Sequence, residues 1–158
     1  MAQVKICGIT THEALEASIE GGASYAGFVF YDKSPRAIAL PAARKLVKSA
    51  TGRIQTVALM VNPAESFVEE LLFDLPIDVI QLHGEETPAF CAWLRERHGV
   101  KICKSFPIES AKDFEWTDEY EEAIDMALFD AKPPKGAELP GGNAVAFDWQ
   151  LVASYRAF

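Results

Sequence analysis

Three side chains stand where an apolar run gives way to a turn, and each could do chemistry. Cys7 follows Val4-Lys5-Ile6 and precedes Gly8. A thiol there can act as nucleophile or general base once it is a thiolate. Lys5 lies two residues earlier, so strand alternation puts its ammonium on the same face. A nearby positive charge would favour the thiolate. Asp130 closes Met126-Ala127-Leu128-Phe129. Burial raises a carboxyl's pKa, which suits a general acid. Asp125, at the other end of that run, belongs to the end that serves stability. Ser34-Pro35-Arg36 offers a guanidinium on a stiffened loop, a bidentate partner for a carboxylate. Gln81 and His83 alternate onto one face and can line the same mouth. Each has a plainer role: a packed thiol, a loop-capping aspartate, a solvated arginine, a satisfied polar pair. Cys91 and Cys103 fall within a helical and a strand pattern and are assigned to packing.

The elements that must position these groups follow from pattern. Strands are expected near 3–7, 25–30, 54–61, 77–82, 100–106 and 125–130. Helices are expected near 11–21, 39–50, 64–73, 87–98, 110–121 and from 147 to the end. Strand starts separated by 22, 29, 23, 23 and 25 residues describe a steady βα period, hence parallel strands and right-handed crossovers. Thr10 and Glu13 fit a capping box, and Thr87-Pro88 with Gly99 brackets a helix. Phe67, Val68, Leu71, Leu72 and Leu75 form an apolar stripe, as do Phe147, Leu151, Val152 and Tyr155. The piece from Lys132 to Asn143, rich in Pro and Gly, is a long loop of the functional kind. Six βα units admit an open doubly wound sheet or a barrel. The first strand is not followed by GxGxxG, which weakens the dinucleotide-binding version. In a barrel, chemistry gathers where strands end. The ends here are Cys7, Tyr31 to Arg36, Asn62, Gln81 to His83, Ser105 and Asp130.

Composition narrows the class. The chain has 158 residues, 49% hydrophobic and 24% charged, and reads as a single domain, 1–158. A net charge of −8 argues against a nucleic-acid or anionic-membrane partner but leaves room for a phosphorylated small molecule. Three widely spaced cysteines without CxxC argue against a disulfide framework or a zinc site. The start shows no signal-peptide pattern, and no apolar run has spanning length, so a cytoplasmic protein is expected.

Lys5-Ile6-Cys7-Gly8-Ile9-Thr10, Gly27-Phe28-Val29-Phe30, Ser34-Pro35-Arg36, Val79-Ile80-Gln81-Leu82-His83-Gly84-Glu85, Asp130, and Gly141-Gly142-Asn143 leading into Phe147-Asp148-Trp149 appear in an order and spacing that span the chain. With these motifs the sequence resembles the phosphoribosylanthranilate isomerase family of tryptophan biosynthesis. The resemblance implies a (β/α)8 TIM-barrel fold and a cofactor-free, metal-free Amadori rearrangement of N-(5-phosphoribosyl)anthranilate. It implies that Asp130 protonates the furanose oxygen and opens the ring to an iminium. It implies that Cys7 removes the neighbouring carbon's proton and that Arg36 holds the anthranilate carboxylate. Gln81 and His83 are expected on the substrate.

Two departures stand beside the resemblance. Ala144 occupies a position where the family commonly has glycine. A full barrel needs at least ~200 residues, so about six βα units are expected and the seventh and eighth are absent. The glycine-rich loops that bind the substrate phosphate in the family would lie there. A six-strand remainder would expose two parallel edges, which favours a homo-oligomer, a covering partner or a longer parent chain. The alternatives are a catalytically inactive, self-associating barrel fragment and another sugar-phosphate barrel enzyme. For the latter, Cys7 in place of a strand-end lysine disfavours an indoleglycerol-phosphate synthase relative. The lack of a metal-ligand set disfavours a pentose-phosphate epimerase.

Overall fold

A computed structural model describes residues 2–137, 139–143, 145–146 and 149–153. It divides after Gln81 into two compact units, the division falling within the fourth strand. Ala144, Phe147, Asp148 and Tyr155 lie outside the described residues.

The N-terminal unit alternates β1 (Lys5–Cys7), α1 (His12–Glu20), β2 (Tyr25–Phe30), α2 (Leu40–Ala50), β3 (Gln55–Met60), α3 (Glu65–Asp74) and β4 (Val79–Leu82) as far as Gln81. Its strands follow chain order, and β1/β2 and β2/β3 pair in parallel with Cys7 opposite Gly27 and Gly27 opposite Val57. Ala26, Phe28 and Val29 of β2 are buried on both faces, the environment of a parallel strand covered by helices. Leu15, Val47, Val68 and Leu71 supply the helical side of that core. Of the predicted α3 stripe, Val68, Leu71 and Leu75 are buried.

One helix start differs from expectation. The cap of α1 is Thr11, whose hydroxyl accepts from Ala14 N at 3.2 Å, and not Thr10. The N–H groups of Gly8 and Ile9 both donate to the Gly27 carbonyl at 2.9 Å, and the Ile9 side chain is buried. These ties keep the chain beside β2 past Gly8 and delay the helix by one residue. β4 also starts later than predicted, because Asp78 turns its carboxylate back onto Thr56. Oδ2 accepts the Thr56 N–H at 2.7 Å and its hydroxyl at 2.9 Å.

The C-terminal unit contains α4 (Pro88–His98), β5 (Lys101–Ile108), a 3-10 helix (Ala111–Tyr120), β6 (Met126–Ala131) and α5 (Trp149–Ala153). β5 and β6 pair in parallel, with Cys103 opposite Met126 and Pro107 opposite Asp130. Thr87 caps α4 by accepting from Phe90 N, and Gly99 closes it in the left-handed region at φ 66°. The segment predicted as an α-helix over 110–121 is a 3-10 helix. Its buried residues, Phe114, Thr117 and Tyr120, recur every third position, the period of that helix and not of an α-helix. A capping box between Ser110 and Asp113 starts it. Phe106 anchors the aromatic cluster beneath, with ring centroids 5.0 Å from Trp116 and 5.2 Å from Tyr120. Among the described residues no helix is long and apolar enough to cross a membrane.

Candidate active site

In the N-terminal unit, Cys7 and Lys5 share the half-buried face of β1 while Ile6 between them is exposed. Alternation therefore places the thiol as the sequence requires. The Lys5 ammonium donates to Gln81 Oε1 at 2.6 Å, so that expected mouth residue, itself 2% exposed, steers the lysine. Two glycines make room. A Cβ on Gly27 would stand 3.1 Å from Cys7 Sγ. Gly8 has φ +87°, and a Cβ there would meet Arg36 Cδ at 2.6 Å. The aliphatic stem of Arg36 thus lies across the turn after Cys7. Its Nη1 reaches the Cys7 carbonyl at 3.5 Å, and Ser34 Oγ accepts its backbone N–H at 3.2 Å. The Ser34-Pro35-Arg36 loop brings a guanidinium to the thiol's strand end. Asn62, after β3, is exposed with φ 46°.

In the C-terminal unit, Asp130 and His83 form a pair, Oδ2 to Nε2 at 3.4 Å. Ser105 Oγ stands 3.3 Å from the same imidazole nitrogen, and the Ala131 N–H donates to Asp130 Oδ1 at 2.9 Å. The backbone at Gly141 lies directly on this pair. A Cβ there would fall 2.9 Å from Asp130 Oδ2 and closer still to His83 Nε2. The Pro/Gly-rich loop therefore packs against the carboxylate at Gly141. The same loop, with Ile108, Lys132, Pro134, Val145 and Leu151, walls a cavity of about 440 Å³ at the ends of β5 and β6.

The electrostatics of Asp130 overturn one expectation. Its pKa is lowered, not raised: the hydrogen bond from His83 outweighs the opposing effect of burial, and the Ala131 N–H adds to it. The carboxyl is more than a third exposed, so desolvation is weak beside a direct donor. Cys91, by contrast, is pushed up to about 11 by burial and is an inert packing thiol, as expected.

Sequence reading missed a buried ion pair beneath the site. Lys104 is 1% exposed, and its Nζ lies 3.2 Å from Glu86 Oε2. The legible sign was a lysine inside the otherwise apolar run Ile102-Cys103-Lys104-Ser105-Phe106. Nothing local marks Glu86 as its partner.

Comparison with known proteins adds a common theme. The family description "PRAI: N-(5'phosphoribosyl)anthranilate (PRA) isomerase" matches residues 4–157. A protein of Brucella canis named N-(5'-phosphoribosyl)anthranilate isomerase is 46% identical over 154 residues, 98% of this chain and 69% of that protein. The crystal structure of phosphoribosyl anthranilate isomerase from Thermotoga maritima superposes with a TM-score of 0.84 at 34% identity, covering 96% of this chain and 70% of that one. A phosphoribosyl anthranilate isomerase in complex with reduced 1-(o-carboxyphenylamino)-1-deoxyribulose 5-phosphate is similar at TM-score 0.76 and 32% identity, covering 83% and 66%.

Proposed function

The chain belongs to the N-(5'-phosphoribosyl)anthranilate isomerase family, and from that premise we propose that Asp130 and Cys7 divide the proton transfers of the family reaction. That reaction is an aldose–ketose isomerisation of a phosphorylated small molecule in tryptophan biosynthesis. We assign it to the cytoplasm.

The observation that carries the assignment is the Asp130–His83 pair at the end of β6. The furanose ring opens when its oxygen is protonated as the bond to the aminated carbon breaks, leaving an iminium. Asp130 delivers that proton. The hydrogen bond from His83 holds the Asp130 carboxyl below its ordinary value, so a proton it carries is readily given up to the ring oxygen. The iminium acidifies the C–H beside it, and the Cys7 thiolate takes that proton to give an enolamine. Tautomerisation of the enolamine to the ketone completes the isomerisation. One proton is given and one is taken, so no redox partner enters. Arg36, over the Cys7 turn, pairs with the aromatic carboxylate. Gln81 acts on the substrate side through its hold on Lys5.

The test follows substrate fluorescence in wild type, Cys7→Ala and Asp130→Asn. Each substitution is expected to lower kcat by about 10²–10⁴, the usual worth of a general acid or base. Wild-type turnover in either variant removes that residue from its role.

A further inference from the structure

Beneath His83 the polypeptide makes a turn that is held by both polar groups of one peptide residue. The Gly84 carbonyl accepts from Lys104 Nζ at 2.8 Å, and the Gly84 N–H donates to the Glu86 carboxylate at 3.0 Å. Lys104 and Glu86 are joined to each other, and their side chains are 1% and 2% exposed. The bracket is itself anchored. Lys104 also donates to the Ser105 carbonyl at 3.0 Å, and Tyr120 Oη donates to the Glu86 carbonyl at 2.9 Å. Cys91, the titratable neighbour from α4, is a neutral thiol.

Burying two charges costs desolvation that an apolar pair of the same volume avoids, so such a pair is weak evidence of a stability role. What apolar side chains cannot do is hold the carbonyl and the N–H of one residue at once. Gly84 directly follows His83, whose imidazole meets Asp130 at 3.4 Å. Fixing the Gly84 peptide removes the backbone freedom that would let the imidazole swing off the carboxylate. We propose that Lys104 and Glu86 are positioning residues: their ion pair clamps the Gly84 peptide and so sets His83 against Asp130. This rests on Asp130 being the acid. The clamp touches no reacting atom and works through His83.

The test uses the full chain with the doubly apolar variant Lys104→Met/Glu86→Leu, which leaves neither an unpaired buried charge nor a side-chain group able to hold Gly84. NMR of the His83 ring nitrogens and steady-state kinetics are read together. With the clamp gone and the fold kept, the His83 signals should move away from their wild-type positions. kcat should fall about tenfold with KM within about twofold, the signature of lost orientation at the reacting groups. Superimposable His83 signals in a folded variant overturn the proposal. Should the variant not fold, exchange of the Gly84 amide in wild type decides: about 100-fold protection supports the clamp, and exchange as fast as in an open turn overturns it. Asp130→Asn, measured alongside, separates the two readings. Wild-type turnover there defeats the acid assignment, while the His83 signals of the double variant still score the clamp.

Discussion

At the level of single residues, Asp130 owes its acidity to a neighbour. The His83 bond depresses its folded pKa, so the stabilisation from that bond is present above the ordinary carboxyl value, about 3.9, and is lost as pH falls through the lowered value. In His83→Ala, burial is opposed only by what remains, chiefly the Ala131 N–H, and Asp130 should titrate higher than in wild type. Carbon-13 NMR of the Asp130 carboxyl reads this directly, and a midpoint at or below the wild-type value contradicts it. The stability gap between the two proteins should also narrow as the carboxyl is protonated. Gly141 bears on the same pair. In Gly141→Ala the new methyl must displace His83 or Asp130, since both stand inside its contact distance. Turnover should drop by about 10–100-fold, in line with a misplacement of about 1 Å, while the melting temperature changes little. The chemical identity of these positions was legible from the chain, since a carboxylate and a thiol each end an apolar run and a guanidinium sits in the loop that follows one. The sign of the Asp130 shift was not, because it depends on an imidazole 47 positions away in the chain.

Among the secondary-structure elements, the two aspartates that precede strands do a different job from the one that ends β6. Asp125 accepts the Ile102 N–H at 2.8 Å and gives its own N–H to the Ile102 carbonyl at 2.9 Å, tying the start of β6 to β5. Asp78 does the same for Thr56. Asp125→Ala strands the Ile102 N–H and should cost about 1–3 kcal/mol, read as a lower denaturation midpoint with unchanged turnover below the transition. A loss of activity larger than the loss of folded protein would place Asp125 in the site instead. The expectation that Asp125 serves stability came from its place alone. Strand positions were readable because short apolar runs recur at a steady βα interval, and β2 falls on its expected span, Tyr25–Phe30. The 3-10 helix escaped because a three-residue burial period and a helical one coincide over the first turn, diverging only by Thr117 and Tyr120. Thr11 displaced Thr10 as a cap through backbone bonds to Gly27, a long-range tie that no local hydroxyl pattern encodes.

For the molecule as a whole, alternation along the chain announced parallel βα units and the motifs announced the barrel family, but neither marks where compactness breaks. The division after Gln81 runs through a strand whose four residues are all buried, so neither composition nor a linker marks it. Each unit has its own buried cluster: Leu15, Phe28 and Leu71 in one, Leu94, Phe106 and Phe114 in the other. The clusters differ in quality. Every residue of β6 is only part-buried, and a 3-10 helix, with its poorer hydrogen-bond geometry, stands where the other unit has α-helices. The C-terminal unit should therefore unfold at lower denaturant. The chain provides its own probe, because all three tryptophans, Trp93, Trp116 and Trp149, follow Gln81. Urea unfolding followed by tryptophan fluorescence should precede the change in far-ultraviolet circular dichroism, which senses both units. Phe106→Ala, emptying the centre of the aromatic cluster at a cost of about 3–5 kcal/mol, should shift the fluorescence transition to lower urea and leave the later part of the dichroism change in place. Leu15→Ala should do the reverse. Coincident transitions in wild type, moved together by both substitutions, would mean that the two units share one cooperative transition.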